Sequence, residues 1–164
     1  YRDIMKRLQK RKVMIVVDAT KDLLVNVLEY HPFLIKPNNY ELGEIFGVTL
    51  QTKEDVVLYA KKLQEMGAGN VLVSMAGDGA VLVAEDGSVY RAEAPEGRVR
   101  NSVGAGDSMV AGFLYGYLNS GTYEDAFYYG ICSGSASAFS ENLATRKEIE
   151  KLLKKMKQQN METK

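Results

Sequence analysis

The sequence predicts an α/β protein that starts with a mostly parallel sheet, passes through a β-meander and ends in helices. Three observations lead there. "KVMIVVDAT" (12–20) is a continuous β-branched run of the kind buried on both faces of a parallel sheet, and "KDLLVNVLEY" after it has helical spacing. "PFLIKPN" repeats the order of strand, then helix. "NVLVSMAGDGAVLVAEDGSVYRAEAP" reads as consecutive strands, and only helical spacing follows the glycine-rich loop after it. With no internal repeat, low-complexity tract or Pro- or Ser-rich linker, one layered α/β domain is expected over residues 1–164.

The elements follow in order. "YRDIMKRLQKRK" predicts an amphipathic helix with Ile4, Met5 and Leu8 on one side, and its start at Tyr1 rather than Met suggests a chain cut from something longer. The strand at 12–20 and its helix come next, then a short strand closed by Pro37 and a short helix, "NYELGEIFG", stopped near Gly47. Thr52 and Asp55 form a cap-like pair opening "TKEDVVLYAKKLQEMG", which Gly67 ends. A strand then runs to Ser74, a glycine turn leads to a second strand, and Asp86-Gly87 signals a hairpin into a third. Three helices close the chain, with caps at Thr122 and Thr145, and the charged end "QQNMETK" is expected to fray.

Composition excludes several functions. The chain has 164 residues, 46% of them hydrophobic and 26% charged, enough to bury a core. Its 21 Lys and Arg balance 21 Asp and Glu, so there is no whole-molecule attraction to nucleic acid or an acidic membrane, and any anion must be held locally. Cys132 has no disulfide partner and His31 no second histidine for a metal cluster; a reducing cytoplasm fits this usage. No apolar run approaches the roughly 20 residues of a membrane span.

Chemistry concentrates in three segments. In "NSVGAGDSMVAGF", if Asp107 opens the helix, the amides of Gly104, Ala105 and Gly106 lie where helical N–H groups have no internal partner, a phosphate cradle without lysines. A carboxylate there suits a proton acceptor facing an incoming hydroxyl; the alternative is a tight turn with Asp107 as N-cap. A P-loop fails because Asp107 follows Gly106, and a dinucleotide fingerprint fails at Met109. In "IKPNNYE", just past a strand's carboxyl end, Lys36 and Asn38 can meet phosphate oxygens and Glu41 a magnesium ion through water, or the stretch is simply a turn and a helix cap. "SMAGDG" (74–79) again ends a strand, and by itself reads equally as a hairpin turn. His31 is local structure and Cys132 a packing residue. The small-residue run around Cys132 admits either a neighbouring helix or a flat adenine ring.

At these residues the sequence resembles the ribokinase-like sugar kinases of the PfkB family, within it the branch of 1-phosphofructokinase and tagatose-6-phosphate kinase. "NSVGAGDSMVAGF" is similar to that family's C-terminal signature, "KPNNYE" to its Asn-x-x-Glu element, and "VSMAGDGAVL" to its nucleotide strand-turn-strand. The resemblance implies a ribokinase-like three-layer α/β sandwich with Asp107 as catalytic base and Gly104, Ala105 and Gly106 as anion hole. It further implies that Ser74, Met75, Ala76, Gly77, Asp78, Gly79 and Gly106 line the nucleotide site, that Lys36 and Asn38 lie near the phosphates, and that Glu41 governs magnesium through water. The implied reaction is phosphoryl transfer from ATP, with Mg2+, to a hexose phosphate: fructose 1-phosphate to fructose 1,6-bisphosphate. Tagatose-6-phosphate kinase and a non-catalytic nucleotide-binding domain are the alternatives. The chain resembles roughly the second half of such an enzyme. The first strands, the sugar-gripping residues and the lid through which members often dimerise fall outside it, so this half alone is expected to be inactive.

Overall fold

The computed structural model describes residues 2–162. The chain divides into two compact units: one built from the chain up to Ala76 together with Ala80–Ala92, the other from Gly77–Gly79 and the chain from Glu93 onward.

The first unit is a mixed α/β layer. Helix α1 (Arg2–Gln9) leads to strand β1 (Val16–Val17), helix α2 (Lys21–Leu28), strand β2 (Leu34–Ile35), and helices α3 (Asn39–Phe46) and α4 (Lys53–Glu65). Strands β3 (Asn70–Ser74), β4 (Ala80–Val83) and β5 (Val89–Ala92) complete it. The five-stranded sheet runs β1-β2-β3-β4-β5, with β1 to β3 parallel and β4 and β5 antiparallel. That is the predicted switch from parallel units to a meander. Val71 and Val73 of β3, Val81 and Val83 of β4, Leu24, Val56 and Leu63 form its core. Thr52 and Asp55 make the predicted capping box, the Asp55 amide donating to Thr52 Oγ1 (3.1 Å) and the Thr52 amide to Asp55 Oδ2 (2.9 Å). Hydrogen bonds from the Thr52 amide, the Thr52 hydroxyl and the Gln51 amide hold the Asp55 carboxyl below its usual range. Asn70 is fully buried yet satisfied: Nδ2 donates to the Phe33 carbonyl (2.8 Å) and Oδ1 accepts from the Glu85 amide (3.0 Å).

Two expectations are corrected here. The strand predicted over 12–20 contracts to Val16–Val17, and Val13 and Met14 are half exposed. Among the described residues β1 pairs with β2 alone, so the residues before it have no second strand there to cover them. The fully buried strands are instead β2 and β4, and β3 is buried up to Val73. In α1, Met5 is buried but Ile4 is exposed, so the apolar side is narrower than Ile4, Met5 and Leu8 suggest. His31 is local structure, as expected, with φ +52° and its Nδ1 3.2 Å from the Gly67 carbonyl.

The second unit is helical: α5 (Ala105–Ser120), α6 (Tyr123–Phe139) and α7 (Arg146–Glu162). Glycines let α5 and α6 meet backbone to backbone. A Cβ on Gly112 would lie 2.5 Å from the Tyr129 carbonyl oxygen, and one on Gly116 2.8 Å from Ala126 Cα. From the α6 side, a Cβ on Gly134 would lie 3.0 Å from the Ala105 carbonyl oxygen. The small-residue run thus receives a neighbouring helix. Thr122 caps α6 by accepting from the Asp125 amide, and the Thr145 amide donates to Glu148 Oε2 (2.7 Å) at the start of α7. Helix α7 includes residues 158–162 of the segment expected to fray; residues 163 and 164, like Tyr1, lie outside the described residues. Cys132 is fully buried, its Sγ donating to Met156 Sδ (3.4 Å), and burial pushes its thiol up from 9.0 to about 12.

Gly112→Ala sets about 1 kcal/mol of added helix propensity against overpacking of about 1–3 kcal/mol into an unyielding backbone carbonyl, so the expected result is a net loss, read by urea denaturation. The raised Cys132 thiol favours the folded state fully below pH 9 and loses that contribution as pH rises from 9.0 to about 12. Relative to Cys132→Ala, wild-type stability should therefore be flat with pH up to 9 and fall above it by up to about 1.4 kcal/mol per pH unit.

Candidate functional site

In the second unit the site is made by the turn entering α5. Asn101 Oδ1 accepts from the Val103 amide (3.0 Å), bending the chain, and Gly104 then takes a left-handed conformation (φ 78°, ψ 0°) as N-cap. The amides of Arg100 and Asn101 donate to the Ala138 carbonyl (2.8 and 3.1 Å), anchoring the turn on the last turn of α6. Helix α5 begins at Ala105, so Asp107 does not open it; it is the third helical residue, and the N-cap alternative for Asp107 is excluded because Gly104 holds that place. Asp107 is exposed. Among the described residues its carboxylate has no hydrogen bond or ion pair.

The amides divide unequally. That of Ala105 donates to the Ser102 carbonyl (3.2 Å), whereas those of Gly106 and Asp107 have no backbone acceptor among the described residues. The open donors are therefore Gly106 and Asp107 rather than Ala105. Aligned peptide dipoles add partial positive charge at this end.

In the first unit, the carboxyl ends of β1, β2 and β3 bring together polar residues distant in sequence. Lys36, at the end of β2, is buried, and its Nζ lies 3.5 Å from Asp18 Oδ2 at the end of β1. Asn38 forms a parallel bridge with Ser74, and the Ser74 amide donates to the Pro37 carbonyl (3.2 Å). Asn38 and Glu41 form a full capping box: Asn38 Oδ1 accepts from the Glu41 amide and Glu41 Oε2 from the Asn38 amide, both at 2.8 Å. The cap-and-turn geometry is thus present, and it leaves Glu41 Oε1 without a protein partner among the described residues. Those residues hold no group of three or more His, Cys, Asp or Glu suited to a metal. A magnesium ion drawing most of its oxygens from phosphate and water needs only one or two carboxylates, and Glu41 fits that demand.

The "SMAGDG" segment is a single 3-10 turn (Ala76–Asp78) rather than a plain hairpin turn. Its left-handed residues are Ala76 (φ 48°) and Gly79 (φ 89°), not Gly77. Ala76, Gly77 and Asp78 are exposed; the Met75 side chain belongs to the core, so only its backbone can face a ligand. Sequence reasoning missed Asp18, whose signal is an acid directly after a β-branched run. Two clefts of about 430 and 380 Å³, the first lined by Arg2, Asp3, Leu23 and Asn26 and the second by residues of α3 and the turn after it, among them Asn39, Tyr40, Glu44 and Val48, include no predicted site residue in their linings.

Asp18→Asn leaves the buried Lys36 ammonium without its counter-charge. Breaking a buried pair costs about 3–5 kcal/mol, and because Asp18 reaches water the loss expected by chemical denaturation is near the lower end.

Comparison with known proteins gives this geometry a context. Residues 1–155 match the pfkB family carbohydrate kinases. The chain is 46% identical over 157 residues to 1-phosphofructokinase of Bacillus subtilis, covering 96% of this chain and 52% of that one. It is 33% identical to D-tagatose-1-phosphate kinase of Bacillus licheniformis, covering 82% and 44% respectively. The chain thus spans about half the length of these curated relatives. Phosphofructokinase-2 from Escherichia coli in complex with fructose-6-phosphate superposes with a TM-score of 0.84 at 25% identity, covering 94% of this chain and 50% of that one. Ribokinase of Arabidopsis thaliana shares the fold, with a TM-score of 0.79 at 23% identity over 92% of this chain and 51% of that one. The mixed sheet and helices are accordingly the ribokinase-like α/β fold, and the chain belongs to the pfkB family of carbohydrate kinases.

Proposed function

We propose that this chain carries the phosphoryl-transfer half of an ATP-dependent sugar-phosphate kinase, with fructose 1-phosphate as acceptor and fructose 1,6-bisphosphate as product. One observation carries the reading: an exposed, unpartnered carboxylate, Asp107, stands on a helix N-terminus whose adjacent amides, Gly106 and Asp107, are open. The likeness to 1-phosphofructokinases of Bacillus subtilis and Borreliella burgdorferi, at 46% and 36% identity, supports the acceptor.

The role of Asp107 follows from relative acidities. An alcohol hydroxyl is a far weaker acid than a carboxylic acid, so complete proton transfer to a carboxylate before attack is steeply uphill. Asp107 therefore orients the hydroxyl and takes its proton late. As the new oxygen–phosphorus bond forms, the bond from the γ-phosphorus to the bridging oxygen breaks, and that oxygen leaves with ADP. The open amides hold the transferring oxygens where charge accumulates. Gly104 shapes the turn, and Ala105 contributes through the helix end rather than through its own committed amide. Lys36, Asn38 and the 74–79 segment, exposed at 76–78, are assigned to the nucleotide, and Glu41 would hold magnesium through water. When bound, that ion neutralises phosphate charge.

The test grafts this chain into Bacillus subtilis 1-phosphofructokinase in place of its matching segment. Fructose 1-phosphate, tagatose 6-phosphate and tagatose 1-phosphate are assayed side by side. Asp107→Asn should lower turnover by about 10²- to 10⁴-fold while Mg-ADP affinity by calorimetry stays within a few-fold. Unchanged turnover removes Asp107 from the role. Because the chain spans half its relatives, a second reading is nucleotide binding without transfer. Mg-ADP binding by a graft that phosphorylates none of the three sugars would establish that instead.

A further inference from the structure

We infer that Ser137 is a positioning residue for the base: its hydroxyl couples the loop after α6 to the first turn of α5, holding the amides beside Asp107 open and aimed. This rests on the kinase reading above. Ser137 is buried (3% exposed) on the last turn of α6, where a hydroxyl needs bonded partners. It has one on each side. Its Oγ accepts from the Ala144 amide (3.1 Å) and its O–H donates to Ser108 Oγ (2.9 Å), Ser108 being the residue after Asp107. One side chain thus joins the segment 140–145 to the helix turn bearing the base.

The surrounding contacts show what that joint does. The Ala138 carbonyl, next to Ser137, takes the amides of Arg100 and Asn101, and Asn101 Nδ2 donates to the Glu141 carbonyl (3.4 Å). Leu143 rests on Gly104, where an added Cβ would meet Leu143 Cδ2 at 2.9 Å. The glycine turn is therefore held on one side by α6 carbonyls and on another by the loop that carries Leu143. Without the hydroxyl, α5 and that loop keep no side-chain bond at Ser108, and the Ala144 amide loses its acceptor. A serine chosen for size alone would need neither bond, since alanine packs the same space.

The test uses Ser137→Ala, Ser108→Ala, the pair together, and Ser137→Thr, which retains the hydroxyl. By NMR on the chain itself, the Ala144 amide should exchange about tenfold faster in Ser137→Ala, the loss of one hydrogen bond, and at the wild-type rate in Ser108→Ala and Ser137→Thr. The Gly106 and Asp107 amide resonances should move in both alanine variants. In the Bacillus subtilis graft, kcat should fall about 10- to 100-fold in each alanine variant with the KM for ATP within about twofold. The double variant should be no worse than the poorer single one, and Ser137→Thr should recover most of the loss. Unchanged Ala144 exchange, unchanged kcat in Ser108→Ala, or additive losses in the pair overturn the inference while leaving the kinase reading standing. A wild-type graft that transfers no phosphoryl group overturns both, and is recognised because it fails before any substitution is made.

Discussion

The close approach of α5 and α6 is the constraint on which the second unit depends. At Gly112 and Gly116 from one helix, and Gly134 from the other, the backbones come so near that a single methyl group would meet a carbonyl oxygen or Cα at 2.5 to 3.0 Å, and at Gly112 the Ser133 side chain as well. Backbone contacts yield little, so the two helices have one relative placement. That placement sets the Ala138 carbonyl under Arg100 and Asn101 and Ser137 beside Ser108. The glycine turn before α5 is thereby delivered to its position by a helix with no charged residue in the turn that supports it.

The proposed chemistry uses what that arrangement leaves over. Most groups near the turn are bonded: the Ala105 amide to Ser102, the Val103 amide to Asn101, the Ser108 amide to Gly104. Against this background the amides of Gly106 and Asp107, open as the first N–H groups of a helix ordinarily are, and the exposed carboxylate, without a partner among the described residues, remain available to a ligand. The first unit behaves differently. Its polar residues at the strand ends are already partnered, Lys36 by the opposite charge of Asp18 and Asn38 by capping bonds with Glu41, which leave the Glu41 charge uncancelled.

Much of this was legible in the residues. The element order, the capping boxes at Thr52 and Asn38, the stop at Gly47 and the switch to a meander after Ser74 all rest on contacts within a few positions along the chain, which local patterning encodes. The start of α5 was misplaced because a glycine N-cap has no side-chain signal, and Asp107, a favoured capping type, stood two residues inside the true boundary. The length of β1 was overestimated because a β-branched run reports a tendency to be buried, not whether a second neighbour exists.

By itself, then, the sequence determined the α/β class, the three segments proposed for the site, and the placement of one acid against a glycine-rich helix mouth, since each depends on neighbours in the chain. Only the tertiary structure decided that Lys36 is matched by Asp18, that the Ala105 amide is committed while those of Gly106 and Asp107 are open, and that Ser137 reaches both Ser108 and Ala144. The reason is physical. A hydrogen bond between segments far apart in sequence depends on distances of a few ångströms that packing sets, and no pattern of residue types along the chain records those distances.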